Sequence, residues 1–139
     1  MLDRHSQHHA WRARQWWDRL PVLDDVDREG LVVQPTPAVG AVMAELTKLT
    51  ELQGTAIRLA GLYRVALARV HVSYRAHRKL ADEVADSSTV RTLEIVRRDV
   101  VRDWTEGEAA LQSLLISRES VDGAASTVAR LELLVSNGG

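Results

Sequence analysis

From Ala38 onward, apolar residues return every three or four positions. With Val39 as position a of a heptad, the a positions are Val39, Leu46, Gln53, Ala60, Leu67, Tyr74 and Ala81. The d positions are Val42, Leu49, Ala56, Tyr63, Val70, His77 and Val84. Only Gln53 and His77 interrupt the seam, which is too long for a chance amphipathic patch. It predicts a helical arm over 38–85. A second apolar pattern through Val90, Leu93, Val100, Trp104, Leu111, Leu114, Val121, Ala125 and Val128 predicts another arm over 88–135. Between them, "ADSSTVR" (85–91) holds the densest cluster of turn and cap residues. Two matched arms joined by a short polar turn predict an all-α fold built on a long antiparallel helical hairpin, each arm roughly 70 Å if unbroken. The second arm also carries a capping-box pattern from Thr105 to Glu108, with Gly107 inside it and Gly123 beyond. Breaks at those glycines give the alternative, a four-helix bundle. "SNGG" (136–139) reads as a helix stop.

The first 37 residues are organised differently. Proline occurs only at Pro21, Pro35 and Pro37, and Thr36-Pro37 is a helix start: a hydroxyl that caps, then a residue with φ pre-set for the first turn. The chain therefore divides into an N-terminal helix and linker (1–37) and a helical body (38–139). The stretch "HHAWRARQWWDRLP" (8–21) contains three of the four tryptophans. As a helix ending at Pro21 it gathers Ala13, Trp16, Trp17 and Leu20 on one side and sets Trp11 on another. So short a helix needs a surface to bury its face. The expectation is that it packs partly on its own body and partly against a protein partner, so that deleting 1–34 leaves the body folded. Heptad position b holds Gly40, Thr47, Gly54, Gly61 and Ala68. Each exposed helical glycine costs roughly 1 kcal/mol against alanine. The repeat marks either a close approach by the head or another subunit, or local flexibility. The partner-binding candidates are thus Trp11, Trp16, Trp17, Leu20, Gly54 and Gly61.

Composition narrows the chemistry. The chain has 139 residues, a net charge of −1 and no cysteine, which removes disulfides and thiolate sites and fits a reducing compartment. No apolar run approaches a membrane span and no apolar signal core follows Met1, so a cytoplasmic protein that does not engage membranes is expected. No serine lies in a nucleophile elbow, and there is no glycine-rich phosphate loop. A non-enzyme without cofactor or small-molecule substrate is the reading. His5 and His9, with Asp3 or His8 nearby, read as a solvated polar terminus rather than a metal site. Between Glu51 and Asp82 there is no acid, while Arg64, Arg75, Arg78 and Lys79 fall along one side of the arm. Such a stripe suits a phosphate backbone. The favoured expectation is that Asp82, Glu83, Glu94, Asp99 and Asp103 on the second arm neutralise it.

The segments "TPAVGAVMAEL" (36–46), "SYRAHRKLADEVADSSTVR" (73–91) and "SVDGAAST" (120–127) resemble those of small helical-hairpin proteins encoded by bacteriophages of high-GC Gram-positive bacteria. Ser87 stands where those proteins carry a turn glycine. The resemblance implies a hairpin fold, no transferable activity, and a setting among recombination and replication functions. The function expected is a non-enzymatic, self-associating or partner-binding assembly protein, in one form a virion structural or connector component located in the host cytoplasm or virion. The alternative is a nucleic-acid-binding accessory protein acting through the arginine stripe.

Overall fold

The computed structural model describes residues 1–33, 36–49 and 54–136, and among these there are helices and turns but no strand. The helices are α1 (Leu2–Trp17), α2 (Pro37–Lys48), α3 (Thr55–Leu59), a π-helical segment (Ala60–Leu67), α4 (Ala68–Leu80), α5 (Ser87–Leu114) and α6 (Arg118–Ser136). The α3, π and α4 stretches run into one another as one central helix. The all-α class follows from the sequence pattern.

Several helix ends obey local rules. Thr36 caps α2, its Oγ1 accepting from the Val39 N–H at 3.4 Å, with Pro37 as the first helical residue. Leu49 leaves the helix in an extended conformation. Gly54 opens α3 at φ 81°, a left-handed conformation that a side chain would strain. The first arm is therefore interrupted between Lys48 and Thr55; the seam position Gln53 lies outside the described residues.

The polar turn comes slightly earlier than expected. Ala81 ends α4, and the Asp82 carboxylate accepts from the Val84 and Ala85 N–H groups, both at 2.8 Å. Those two donors hold its pKa below the ordinary value. Ser87 then begins α5. The second arm breaks at Leu115–Ser117, where Ser117 Oγ accepts from the Ser120 N–H at 3.1 Å and Ser120 Oγ from the Ser117 N–H at 3.2 Å. That reciprocal pairing is a capping box written with two serines.

Gly107 and Gly123 are not breaks; both sit inside helices. A Cβ on Gly107 would lie 2.2 Å from the Tyr63 ring, and one on Gly123 would lie 2.9 Å from Ile57 Cδ1. Each is a groove for a side chain of the central helix. Of the expected stop "SNGG" (136–139), Ser136 is the last residue of α6 and 137–139 lie outside the described residues.

The central helix and α5 are antiparallel neighbours. The α2 helix folds back beside the π segment, and α6 runs along α3 and the π segment, meeting α2 on its other side. One cluster joins Ala56, Leu59, Ala60, Tyr63 and Leu67 to Val100, Leu111 and Ala124; another joins Val42 and Val65 to Leu131. Within the π segment Ala60, Gly61, Tyr63, Val65 and Leu67 are all buried. A single α-helical stripe would not bury that set, and here the segment faces α2, α5 and α6 at once. Beyond it α4 buries no residue fully.

The second apolar pattern holds in part, with Leu111 of its second half buried as well. Val90, Leu93 and Val100 are buried, but Trp104, Leu114 and Val121 face solvent, and Asp103 is buried in their place. The reason lies in α1, which packs along α5.

Candidate functional site

The helix α1 places His5, His8, Arg12 and Trp16 three or four residues apart, so they share a face. On α5, Asp99, Asp103 and Glu106 share the opposing face by the same spacing. The two rows meet in antiparallel order.

Arg12 is the centre. Its Nη1 donates to Asp103 Oδ2 at 2.7 Å and to Asp99 Oδ2 at 2.8 Å. The Arg12 and Asp103 side chains expose only 3% and 1% of their surface. Burying either charge alone would cost several kcal/mol; here each is the other's counter-ion. Burial pushes the Asp103 pKa up, but hydrogen bonds from His8 and Arg12 outweigh it, and the group is held below the ordinary carboxylate value.

Three histidines complete the network. His5 Nδ1 lies 2.7 Å from the Tyr63 hydroxyl, and its Nε2 lies 3.3 Å from Glu106 Oε2. Both contacts are satisfied when Tyr63 donates to Nδ1 and Nε2–H donates to Glu106. His8 Nδ1 lies 2.7 Å from Asp103 Oδ1. His9 Nδ1 accepts from Arg12 Nη2 at 3.0 Å; burial first, then the guanidinium, lowers its pKa. The Tyr63 phenol sits under this layer, its pKa raised by burial and by the negative charges of Asp103 and Glu106.

The tryptophans divide three ways. Trp16 stacks on His77 at 5.7 Å and donates from Nε1 to the Tyr74 hydroxyl at 3.0 Å. Trp17 receives the Arg28 guanidinium 4.8 Å from its ring, while Arg28 also donates to the Trp17 carbonyl at 2.6 Å. The linker thus turns back and clamps the end of α1. Trp11 is 42% exposed. With Ile95, His8, Arg98, Asp99 and Arg102 it lines an open hollow of about 350 Å³. Leu20 is half-buried.

The other candidates fare differently. Gly61 marks a close approach, but its neighbours are Leu46 of α2 and Leu131 of α6, so this position serves the chain's own packing rather than the head or a second subunit. Gly54 is exposed, and a Cβ built there would meet nothing within 4 Å among the described residues. In the basic stripe, Arg64 makes a two-point contact with Glu108 at 2.6 and 3.1 Å, which raises the arginine's pKa and lowers the carboxylate's. Arg78 pairs with Glu83 at 2.7 Å. Among the described residues, Arg75 and Lys79 have no ion pair. Asp99 and Asp103, expected to neutralise this stripe, serve Arg12 instead.

The terminus read as solvated is therefore docked, and His5, Arg12, Tyr63 and Asp103 are the residues that sequence reasoning missed. The available signal was the match between two rows: His5, His8 and Arg12 against Asp99, Asp103 and Glu106. The ligand atoms of His8, Asp99 and Asp103 also lie within 4.8 Å of one another. No helix among the described residues is long and apolar enough to cross a membrane. No family model, curated protein or solved structure matches the chain.

Proposed function

We propose that this is a non-enzymatic helical interaction protein whose association surface is the outer side of its N-terminal head and linker. The observation that carries the reading is the apolar surface left there after docking. Trp11 and Ile95 both line the hollow, each more than 40% exposed, and Val22, Leu23, Leu31, Val32 and Val33 of the linker are exposed as well. Large apolar groups concentrated on one segment mark contact surfaces, and tryptophan is enriched among residues that dominate binding energy. The inner face of the head is spoken for by Asp103, Tyr63, Tyr74 and His77, so Trp16 and Trp17 support the surface without forming it.

Assembly with further copies, or with a structural protein of a phage particle, is the specific form that the resemblance to phage hairpin proteins favours. The nucleic-acid alternative has less support, because Arg64 and Arg78 are engaged within the chain. Light scattering over a concentration series, paired with affinity capture on the immobilised chain, tests the proposal. Association weakened by Trp11→Asp or Ile95→Asp, with helicity retained, is the expected result. A chain that stays monomeric at all concentrations and captures no protein contradicts it; salt-sensitive capture of DNA or RNA lost on charge reversal at Arg75 and Lys79 replaces it with the alternative.

A further inference from the structure

We propose that the protein binds one first-row divalent cation, with zinc as the reference ion, between α1 and α5 through His8, Asp99 and Asp103. One imidazole nitrogen and two carboxylate oxygens from two helices lie within 4.8 Å of one another. His8 Nδ1 and Asp103 Oδ1 are 2.7 Å apart. Zinc bonds of about 2.0–2.2 Å place adjacent tetrahedral ligand atoms about 3.3 Å apart, so this pair opens by little more than half an ångström. The ion takes the place of the proton on His8 Nδ1; a neutral ring then carries its proton on Nε2, and an imidazolium releases the extra one to solvent. An imidazole with two carboxylates suits zinc, manganese, iron or cobalt better than the thiolate-seeking ions.

Arg12 shares this site without filling it. Its Nη1 lies on Oδ2 of both aspartates, leaving Asp103 Oδ1 turned towards His8. One guanidinium against two carboxylates leaves a negative charge for a dication to meet. Arg102 is drawn aside by Glu106 at 3.3 Å, and Arg98 stands on the wall of the hollow. The hollow itself borders His8 and Asp99, which gives the ion an entry path and room for the water that completes its shell. Asp103 is nearly inaccessible, and Trp11 and Ile95 provide an apolar surround. Bound there, the ion ties the head to α5.

Calorimetric titration of zinc into the untagged, chelator-treated full chain tests this, alongside cobalt followed by visible absorption. The expected result is saturation at one ion per chain, a higher melting temperature, and loss of both in His8→Ala and in Asp99→Asn, with circular dichroism unchanged. Asp99 is only half-buried, so its isosteric variant keeps the fold. His9→Ala retains binding, because His9 faces Arg12 rather than the three ligands. No saturable binding overturns the proposal. So does binding that survives His8→Ala and Asp99→Asn, or that disappears in His9→Ala, since either result means loose chelation by the terminal histidines.

Discussion

Arg12 and Asp103, separated by 91 positions in the chain, meet at 2.7 Å with almost no exposure of either side chain. This pair makes the N-terminal head a part of the folded body. A helix of 16 residues is marginal alone; a buried ion pair, a shared tyrosine and a stacked tryptophan fix its position. Because the pair is charged and enclosed, it specifies where α1 lies more sharply than an apolar contact would, although an apolar replacement could match its stability.

Removing residues 1–34 follows as a test of that dependence, and the outcome differs from what the sequence suggested. The truncated body loses the cover of Asp103, Tyr63, Tyr74 and His77. Its melting temperature is expected to fall by several degrees at least, since about 1 kcal/mol moves a domain of this size by roughly 4 °C. An unchanged melting curve means that the head is not part of the core.

Gly107→Ala separates a contact glycine from a merely tolerated one. In an exposed helix this change stabilises by roughly 1 kcal/mol, but here the new methyl would lie 2.2 Å from the Tyr63 ring. A net loss of about 1–3 kcal/mol from overpacking is expected in urea denaturation. Gly123→Ala meets only the far end of Ile57, at 2.9 Å, and is expected to cost much less. Equal effects at the two sites would mean that Tyr63 is free to move aside.

Tyr63 predicts an alkaline limit to stability. Burial, with the charges of Asp103 and Glu106 behind it, favours the neutral phenol, so its folded pKa lies above the ordinary value of 10.0. The stabilisation is complete below the unfolded pKa and is lost as pH rises through the folded one. In a Tyr74→Phe variant, Tyr63 is the sole tyrosine. Its absorbance titration is expected to lie above that of the urea-unfolded chain; coincident curves would place the phenol in water.

Much of the fold was legible because its signals are local. The Thr36-Pro37 start reads directly from capping chemistry, and the seam residues Ala56, Ala60, Tyr63 and Leu67 are buried where the heptad put them. Gly107 and Gly123 stayed open between helix break and helix interior for a physical reason. In a sequence, a missing side chain means the same letter whether it ends a helix or admits a neighbour. Only Tyr63 and Ile57 reveal that Gly107 and Gly123 do the latter. Asp103 defeated the apolar pattern more completely. Hydrophobic periodicity assigns the inward position to Trp104, yet α5 is rotated so that Asp103 is enclosed and Trp104 is 41% exposed. The charge that permits this sits on α1, and no window around residue 103 contains it. The association surface was half visible: clustering singled out the tryptophans, but not which of them would be used internally.

The most direct measurement of the account is a double-mutant cycle between Arg12 and Asp103, with Arg12→Ala, Asp103→Ala and the double variant unfolded in urea. Each single change strands a buried charge and is expected to cost about 3–5 kcal/mol. The double variant should cost clearly less than their sum, with a coupling energy of about 1–3 kcal/mol. Additive losses, agreeing within about 0.5 kcal/mol, would show that the two residues do not meet and that α1 is not docked on α5.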